Sequence, residues 1–293
     1  MKDQKKYRSP AAMRTALEER LNRTGREENK DIQRLRRQVA FDRFLARIFS
    51  NKESNRFVLK GGYALELRLH TARTTKDIDL CVNDRKGTLT DDKENLLNMI
   101  RQATAIDLGD FFEYAIGESI LDLENALYGG YRFPVECRMA GRRFAHFNID
   151  IAAGDVWINT HEELIGKAWF DFAGIPAMKT QAISAEQQFA EKIHSYSLPR
   201  QTQNSRTKDL IDLVLLIENC DLDLLRLQEA IAKTFKRRKT HEIPVEIENP
   251  PDSWQLRYKK LAEECGNGIP SDLNSAIDKV RQFYKAIMKN KNL

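Results

Sequence analysis

The sequence predicts an α+β protein: an α/β core built as a mixed sheet with flanking helices, followed by a C-terminal helical bundle. Three observations predict it. Apolar residues recur at helical spacing through the first 50 positions, short runs of period two separated by glycines occupy the middle of the chain, and helical spacing returns from Ser184 to the end. The expected division is a helical N-terminal arm over 1–50 that packs on the core, an α/β core over 51–180, and a C-terminal helical domain over 181–293.

Each element has a local reason. Ser9-Pro10 reads as an N-cap followed by proline at the first helical position, and AAMRTALEERLNR continues as an amphipathic helix. A second helix is expected over Asp31–Phe49, with Ile32, Leu35, Val39, Phe41, Phe44, Leu45 and Ile48 as its apolar stripe. Phe57–Lys60 reads as a short strand, Gly61-Gly62 punctuates it, and Tyr63–Leu69 resembles the first turns of a helix. Asp77–Val82 alternates with period two, as a half-buried strand does. A helix over Asp91–Ile106 and strands over Phe111–Ile116, Tyr131–Met139 and Arg142–Ala152 follow, the last two joined by a tight turn at Gly141. The remaining helices are expected over Ser184–Ser197, Thr207–Asn219, Leu222–Phe235, Ser253–Cys265 and Ser271–Met288, with a Pro/Glu-rich break over Ile243–Pro251.

Composition narrows the class. Of 293 residues, 41% are hydrophobic and 31% charged, enough apolar material for a sizeable core. A mean hydropathy of −0.57 and the lack of an 18-residue apolar run argue against a spanning helix. No apolar segment follows the basic start, so no secretory signal is expected and the chain reads as soluble and cytoplasmic. Four scattered cysteines without a CxxC pair argue against a disulfide framework or a zinc site, and His70, His146, His161, His194 and His241 show no ligand spacing. The net charge of +5 is uneven: residues 1–40 carry twelve Lys/Arg against six Asp/Glu. Basic runs recur at Lys233–Lys239 and at Lys279, Arg281, Lys285, Lys289 and Lys291. Clustered positive charge suits a polyanionic partner such as nucleic acid, or is simply a solvated helix face.

The chemistry concentrates in LKGGYALELR (59–68) and RTTKDIDL (73–80). A strand ending in two glycines and running into a helix presents backbone N–H groups suited to phosphate, although most Gly-Gly pairs are plain turns. Asp77 and Asp79, two apart on a strand, project from one face while Ile78 and Leu80 occupy the other. The bland alternative is a solvent-facing acidic edge; the sharper one is a divalent cation such as Mg²⁺, which takes one or two carboxylates plus substrate phosphates. Asp150, in FNIDI (147–151), is a third carboxylate on a strand. Strand, Gly-Gly, helix, a DxD strand and a later single-Asp strand together resemble the polymerase-β-type nucleotidyltransferase core, in which carboxylates from neighbouring strands converge on metal.

Four separated segments, FVLKGGYALELRL, RTTKDIDL, FPVECRMAGRRFAHFNIDIAAGD and AEKIHSY…SRTKDLIDLVLL, resemble in order the AbiEii/AbiGii-type toxin family of nucleotidyltransferases over roughly residues 35–220. The resemblance places the first family motif on Gly61 and Gly62, with Lys60 just ahead, and the metal-binding DxD on Asp77 and Asp79. It matches the helical lysine to Lys192 and the RxKDxxD segment to Arg206, Lys208, Asp209 and Asp212. The wider superfamily has Gly-Ser at the first motif; Gly62 here takes the serine's place, so backbone amides and Lys60 must supply those contacts. Of the two acids three apart on one helix face, Asp209 is favoured over Asp212 as the functional one. Arg68, Arg73 and Lys208 either contact phosphate or pair with acids, and Lys192 is otherwise an ordinary surface lysine.

The resemblance implies an Mg²⁺-dependent enzyme, the toxin of a toxin–antitoxin or abortive-infection pair. It would move a nucleoside monophosphate from an NTP to an RNA acceptor, the tRNA 3′ end being favoured, and release pyrophosphate. Asp77, Asp79 and Asp150 would hold metal; Lys192 and Asp209 would serve transfer; Lys60, Gly61, Gly62, Arg68 and Lys208 would bind nucleotide. Transfer to a protein or a small molecule, and a non-catalytic RNA-binding module on the same fold, are the alternatives.

Overall fold

The computed structural model describes residues 7–50, 56–70, 72–82, 93–122, 130–153, 161–201, 204–266 and 268–289. The start of the helix expected from Asp91, positions 202 and 203 of the loop before Arg206, and Lys291 lie outside these residues.

Helix α1 (Pro10–Glu27) starts as the Ser-Pro pair requires: the Ser9 hydroxyl accepts the Ala12 N–H at 3.2 Å and Pro10 occupies the first turn. Helix α2 (Ile32–Ser50) begins with the Asp31 carboxylate accepting the Arg34 N–H at 2.8 Å. Strand β1 (Phe57–Lys60) leads directly into α3 (Gly61–Leu69), which starts two residues earlier than the side-chain pattern suggests. Then come β2 (Asp77–Val82), α4 (Lys93–Thr104), β3 (Phe112–Ile116), the two-residue β4 (Leu121–Asp122), β5 (Gly130–Met139) and β6 (Arg142–Ala153). Two strands that the sequence pattern does not announce follow, β7 (His161–Ile165) and β8 (Lys179–Ile183). The rest is helical: α5 (Ala185–Ser197), α6 (Thr207–Asn219), α7 (Leu224–Arg238), α8 (Gln255–Cys265) and α9 (Leu273–Lys289).

The strands form one mixed sheet in the order β3-β5-β6-β2-β1-β8-β7, with β4 also paired to β5. β2 and β6 run parallel, as do β1 and β8, whereas β5 is antiparallel to β3 and β6. The β5–β6 hairpin turns at Ala140-Gly141, both at positive φ, and carries a bulge near its tip. There Arg138 pairs with Arg143 but Cys137 with Ala145, so Phe144 is the extra residue on β6.

The chain separates into two compact units. The first comprises residues 1–59, 76–154 and 163–182; the second comprises 60–75, 155–162 and 183–293. The segment 60–75, with α3, thus belongs with the C-terminal helices rather than with the strand that precedes it. In the first unit, α2 lays Phe41 and Phe44 on Phe147 with ring centroids 4.8 and 5.7 Å apart. A buried charge cluster anchors the same helix: Asp110, fully buried, accepts from Arg43 at 2.6 Å and from Arg47 at 2.6 and 2.9 Å. α1 is tied to the hairpin tip by Arg14, which donates to the carbonyls of Met139, Arg142 and Arg143. In the second unit the core gathers Leu65, Phe189, Ile193, Leu213, Leu227, Tyr258 and Tyr284 from α3 and α5–α9, with Trp254 from the turn leading into α8. No helix among the described residues is long and apolar enough to cross a membrane.

Candidate active site

Each unit carries its own share of the expected chemistry. In the first, the pleat of β2 places Asp77 and Asp79 half-exposed on one face while Ile78 and Leu80 are buried on the other. Parallel pairing aligns Asp79 with Asp150 and Asp77 with Asn148, so the three carboxylates project from the same side of the sheet. Asn148 donates its amide to Asp77 at 3.1 Å. One strand further, Arg132 pairs with Asp150 and grips both carboxylate oxygens, at 2.7 and 2.6 Å. Those hydrogen bonds, with the fields of Asp77 and Asp79 added, hold the Arg132 proton above its ordinary affinity. The row across β2, β6 and β5 is therefore two acids, Asp79 and Asp150, followed by the guanidinium of Arg132.

These hard oxygen donors suit a magnesium ion, Asp77 and Asp79 most directly, because Asp150 is already matched by a guanidinium. Among the described residues no group of three His, Cys, Asp or Glu side chains is gathered closely enough to hold a metal ion. Among the histidines, buried His194 meets Thr240 at 2.8 Å, and His241 meets Ser197 at 2.8 Å.

In the second unit, α3 starts at a turn that needs both of its glycines. Gly61 has φ +68°, a left-handed conformation. Gly62 is buried, and a Cβ there would sit 2.9 Å from Thr75 Oγ1 and 3.4 Å from Arg73 Nη2. Lys60 immediately precedes the helix in extended conformation. Arg68, expected near phosphate, instead donates to Glu162 at 2.8 and 2.9 Å, to Gln188 at 2.5 Å and to the Ile183 carbonyl at 2.6 Å.

Lys192 is far from an ordinary surface lysine. Its ammonium lies 2.7 Å from Asp209 Oδ1 and 2.8 Å from Asp212 Oδ2. Burial alone would lower its proton affinity, but the two carboxylates outweigh burial and raise it. Asp212 is completely buried and also receives a two-pronged pair from Arg73, both bonds at 2.8 Å. Burial would raise the Asp212 proton affinity, yet Lys192 and Arg73 together hold it below the usual carboxylate range. Asp209 differs in one respect: its Oδ2 is buried and accepts no hydrogen bond, with Arg206 Nε 3.8 Å away. Lys208 is exposed on the first turn of α6.

The structure thus brings Asp77, Asp79 and Asp150 onto one sheet face, and separately brings Lys192, Asp209, Asp212 and Arg73 into one buried network. Arg132, Gln188 and Thr75 are participants that the sequence reading did not select. Thr75 lies inside the RTTKD segment (73–77), so proximity to the DxD pair was an available signal; Gln188 and Arg132 had none beyond strand and helix spacing.

Several basic residues are engaged within the chain. Arg36 pairs with Glu18 at 2.8 Å, Arg14 lies 3.9 Å from the same carboxylate, and the Arg20 guanidinium stacks 3.8 Å over Phe172. Lys279 pairs with Glu218, and Lys285 with Glu246 at 3.5 Å. Lys236, Arg237 and Lys239, at the end of α7, are exposed on the surface.

Residues 43–285 match the family described as nucleotidyl transferase AbiEii toxin, type IV TA system. Comparison with curated proteins gave no match. Among solved structures, the nucleotidyltransferase toxin MenT4 of Mycobacterium tuberculosis superposes with a TM-score of 0.57 at 15% identity, covering 93% of this chain and 98% of that one. JHP933 from Helicobacter pylori superposes with a TM-score of 0.45 at 15% identity, covering 88% and 98%. The likeness to MenT4, at that identity, is a likeness of fold.

Proposed function

Because the chain belongs to the AbiEii nucleotidyltransferase toxin family of type IV toxin–antitoxin systems, we propose that it transfers a nucleoside monophosphate from an NTP to an RNA acceptor, the tRNA 3′ end first among them, in a magnesium-dependent reaction. The observation that carries this reading is the Asp77/Asp79 pair, two carboxylates on one face of β2 aligned with Asp150 on the neighbouring strand.

In the reaction the acceptor hydroxyl oxygen forms a bond to the α-phosphorus, and the bond from that phosphorus to its β-bridging oxygen breaks. Pyrophosphate leaves, and the hydroxyl proton passes to a carboxylate of the acidic set. Asp77 and Asp79 would hold magnesium, joined by Asp150 once Arg132 releases it, and the ion would supply charge neutralisation on the triphosphate and acidify the attacking hydroxyl. The amides opening α3 and Lys60 would bind phosphate oxygens, where aligned peptide dipoles favour negative charge. Lys192, kept protonated by its two carboxylates, would offset charge developing on the leaving pyrophosphate. Asp209, with one buried oxygen open, would orient substrate, and Asp212 would hold Lys192 in place. The exposed cluster Lys236, Arg237 and Lys239 suits a polyanionic acceptor. A cognate antitoxin and a cytoplasmic setting complete the proposal.

The test is incubation of the purified chain with total RNA, Mg²⁺ and each labelled NTP in turn, with the Asp77→Ala/Asp79→Ala variant as control. Label in a tRNA-sized band, absent from the control, is the expected result. Label on protein or in no product would overturn the RNA acceptor.

A further inference from the structure

Gln188 is buried at 1% exposure on α5 and its side-chain amide is used at both ends. Its Nε2 donates to the Gly61 carbonyl at 2.7 Å, and its Oε1 accepts from Arg68 Nη1 at 2.5 Å. Only one orientation of the amide satisfies both neighbours, because a guanidinium can only donate and a carbonyl can only accept. Arg68 is itself fixed by Glu162 and by the Ile183 carbonyl, and Glu162 also accepts the Ala185 N–H at 3.0 Å at the start of α5. The Gly61 carbonyl is thus held by a chain of bonds that ends in the backbone of β8 and α5.

This matters because of what shares the Gly61 carbonyl's plane. In a trans peptide the carbonyl and the following N–H point in opposite directions, so fixing the Gly61 oxygen aims the Gly62 N–H away from α5. Gly61, at φ +68° and without a side chain, gives this plane no side-chain anchor of its own, so the bond from Gln188 adds to the hold of the first turn of α3. We infer that Gln188, backed by Arg68, is a positioning residue that fixes the Gly61–Gly62 peptide so that the Gly62 amide meets a phosphate group of the nucleoside triphosphate. The inference rests on the nucleotidyl-transfer reading above, and it assigns Arg68 to the glycine turn rather than to phosphate.

Glutamate is the informative replacement. Gln188→Glu keeps the shape and keeps an acceptor for Arg68, but it cannot donate to the Gly61 carbonyl. Gln188→Met keeps the length and loses both bonds, and serves if the first variant does not fold. Binding of radiolabelled ATP, GTP, CTP and UTP to the full chain with Mg²⁺ is measured by equilibrium dialysis, beside thermal melting and the KM values for NTP and RNA. The expected result for Gln188→Glu is NTP affinity weakened about tenfold and KM for NTP raised to match, with the melting point and the KM for RNA little changed. A folded variant that binds NTP as the parent does would overturn the role of Gln188 alone. A parent chain that binds none of the four triphosphates would overturn the nucleotidyl-transfer reading, and this inference with it.

Discussion

Arg132 holds Asp150 with both prongs of its guanidinium, at 2.7 and 2.6 Å, directly across the β5–β6 hairpin. The pair neutralises the one acid of the sheet-face set that does not belong to the DxD strand. A cation recruited to Asp77 and Asp79 meets this guanidinium as a competitor for Asp150. Arg132→Gln is therefore expected to tighten Mn²⁺ binding about tenfold, through loss of a like charge and release of a carboxylate. Titration calorimetry with Mn²⁺ checks it; weaker binding in the variant would show that Arg132 supports the acidic set rather than competing.

Asp209 and Asp212 share Lys192 but are expected to respond differently to amidation. Asp212→Asn leaves Arg73 and Lys192 buried with one carboxylate too few, and should cost about 3–5 kcal/mol of stability in urea unfolding. Asp209→Asn changes a residue that makes one hydrogen bond to Lys192 and has an open oxygen, so the greater loss should fall on nucleotide transfer. The reverse ranking would exchange their roles.

Gly62 should tolerate no side chain at low cost. A Cβ would lie 2.9 Å from Thr75 Oγ1 and 3.2 Å from Thr75 Cβ, both in a buried residue that cannot swing aside. Gly62→Ala is expected to destabilise by about 1–3 kcal/mol, and Gly62→Ala/Thr75→Ala to recover part of that. A double-mutant cycle by denaturant unfolding measures the coupling; additive losses would place the clash elsewhere.

Acid should weaken the fold through Asp110 and Asp212, buried carboxylates held below the ordinary aspartate value of 3.8 by arginine and lysine partners. A depressed folded value contributes stability that is fully present above 3.8 and is lost as pH falls toward the folded value, because the unfolded chain takes up the proton first. Urea midpoints should therefore be level above about pH 5 and fall steeply below about pH 4. Asp110→Asn, less stable at neutral pH, should show a shallower fall; an unchanged slope would remove Asp110 from the account.

The sequence by itself determined most of the elements, for local physical reasons. The Ser9 cap, the apolar stripe of α2, and the alternation of β2 are written in side chains only a few residues apart. β7 and β8 escaped because HEELI and KTQAI offer little alternation. In β7 only Leu164 is buried, as suits the strand at the end of the sheet order. The DxD pair and Asp150 were legible because a strand's period of two is a local rule, and Lys192 with Asp209 was legible through the family resemblance.

What the tertiary structure decided was which charges meet. Counting back from the turn at Gly141 in a regular hairpin pairs Arg132 with Ile149 and turns it to the face opposite Asp150. The extra residue at Phe144 shifts the register by one and sets Arg132 against Asp150 instead. Arg73 meets Asp212 across 139 positions of sequence, and Gln188 meets Gly61 across 127. Such partners are chosen by packing, since a buried charge or carbonyl takes whatever donor the neighbouring element presents, and spacing along the chain carries no record of that choice.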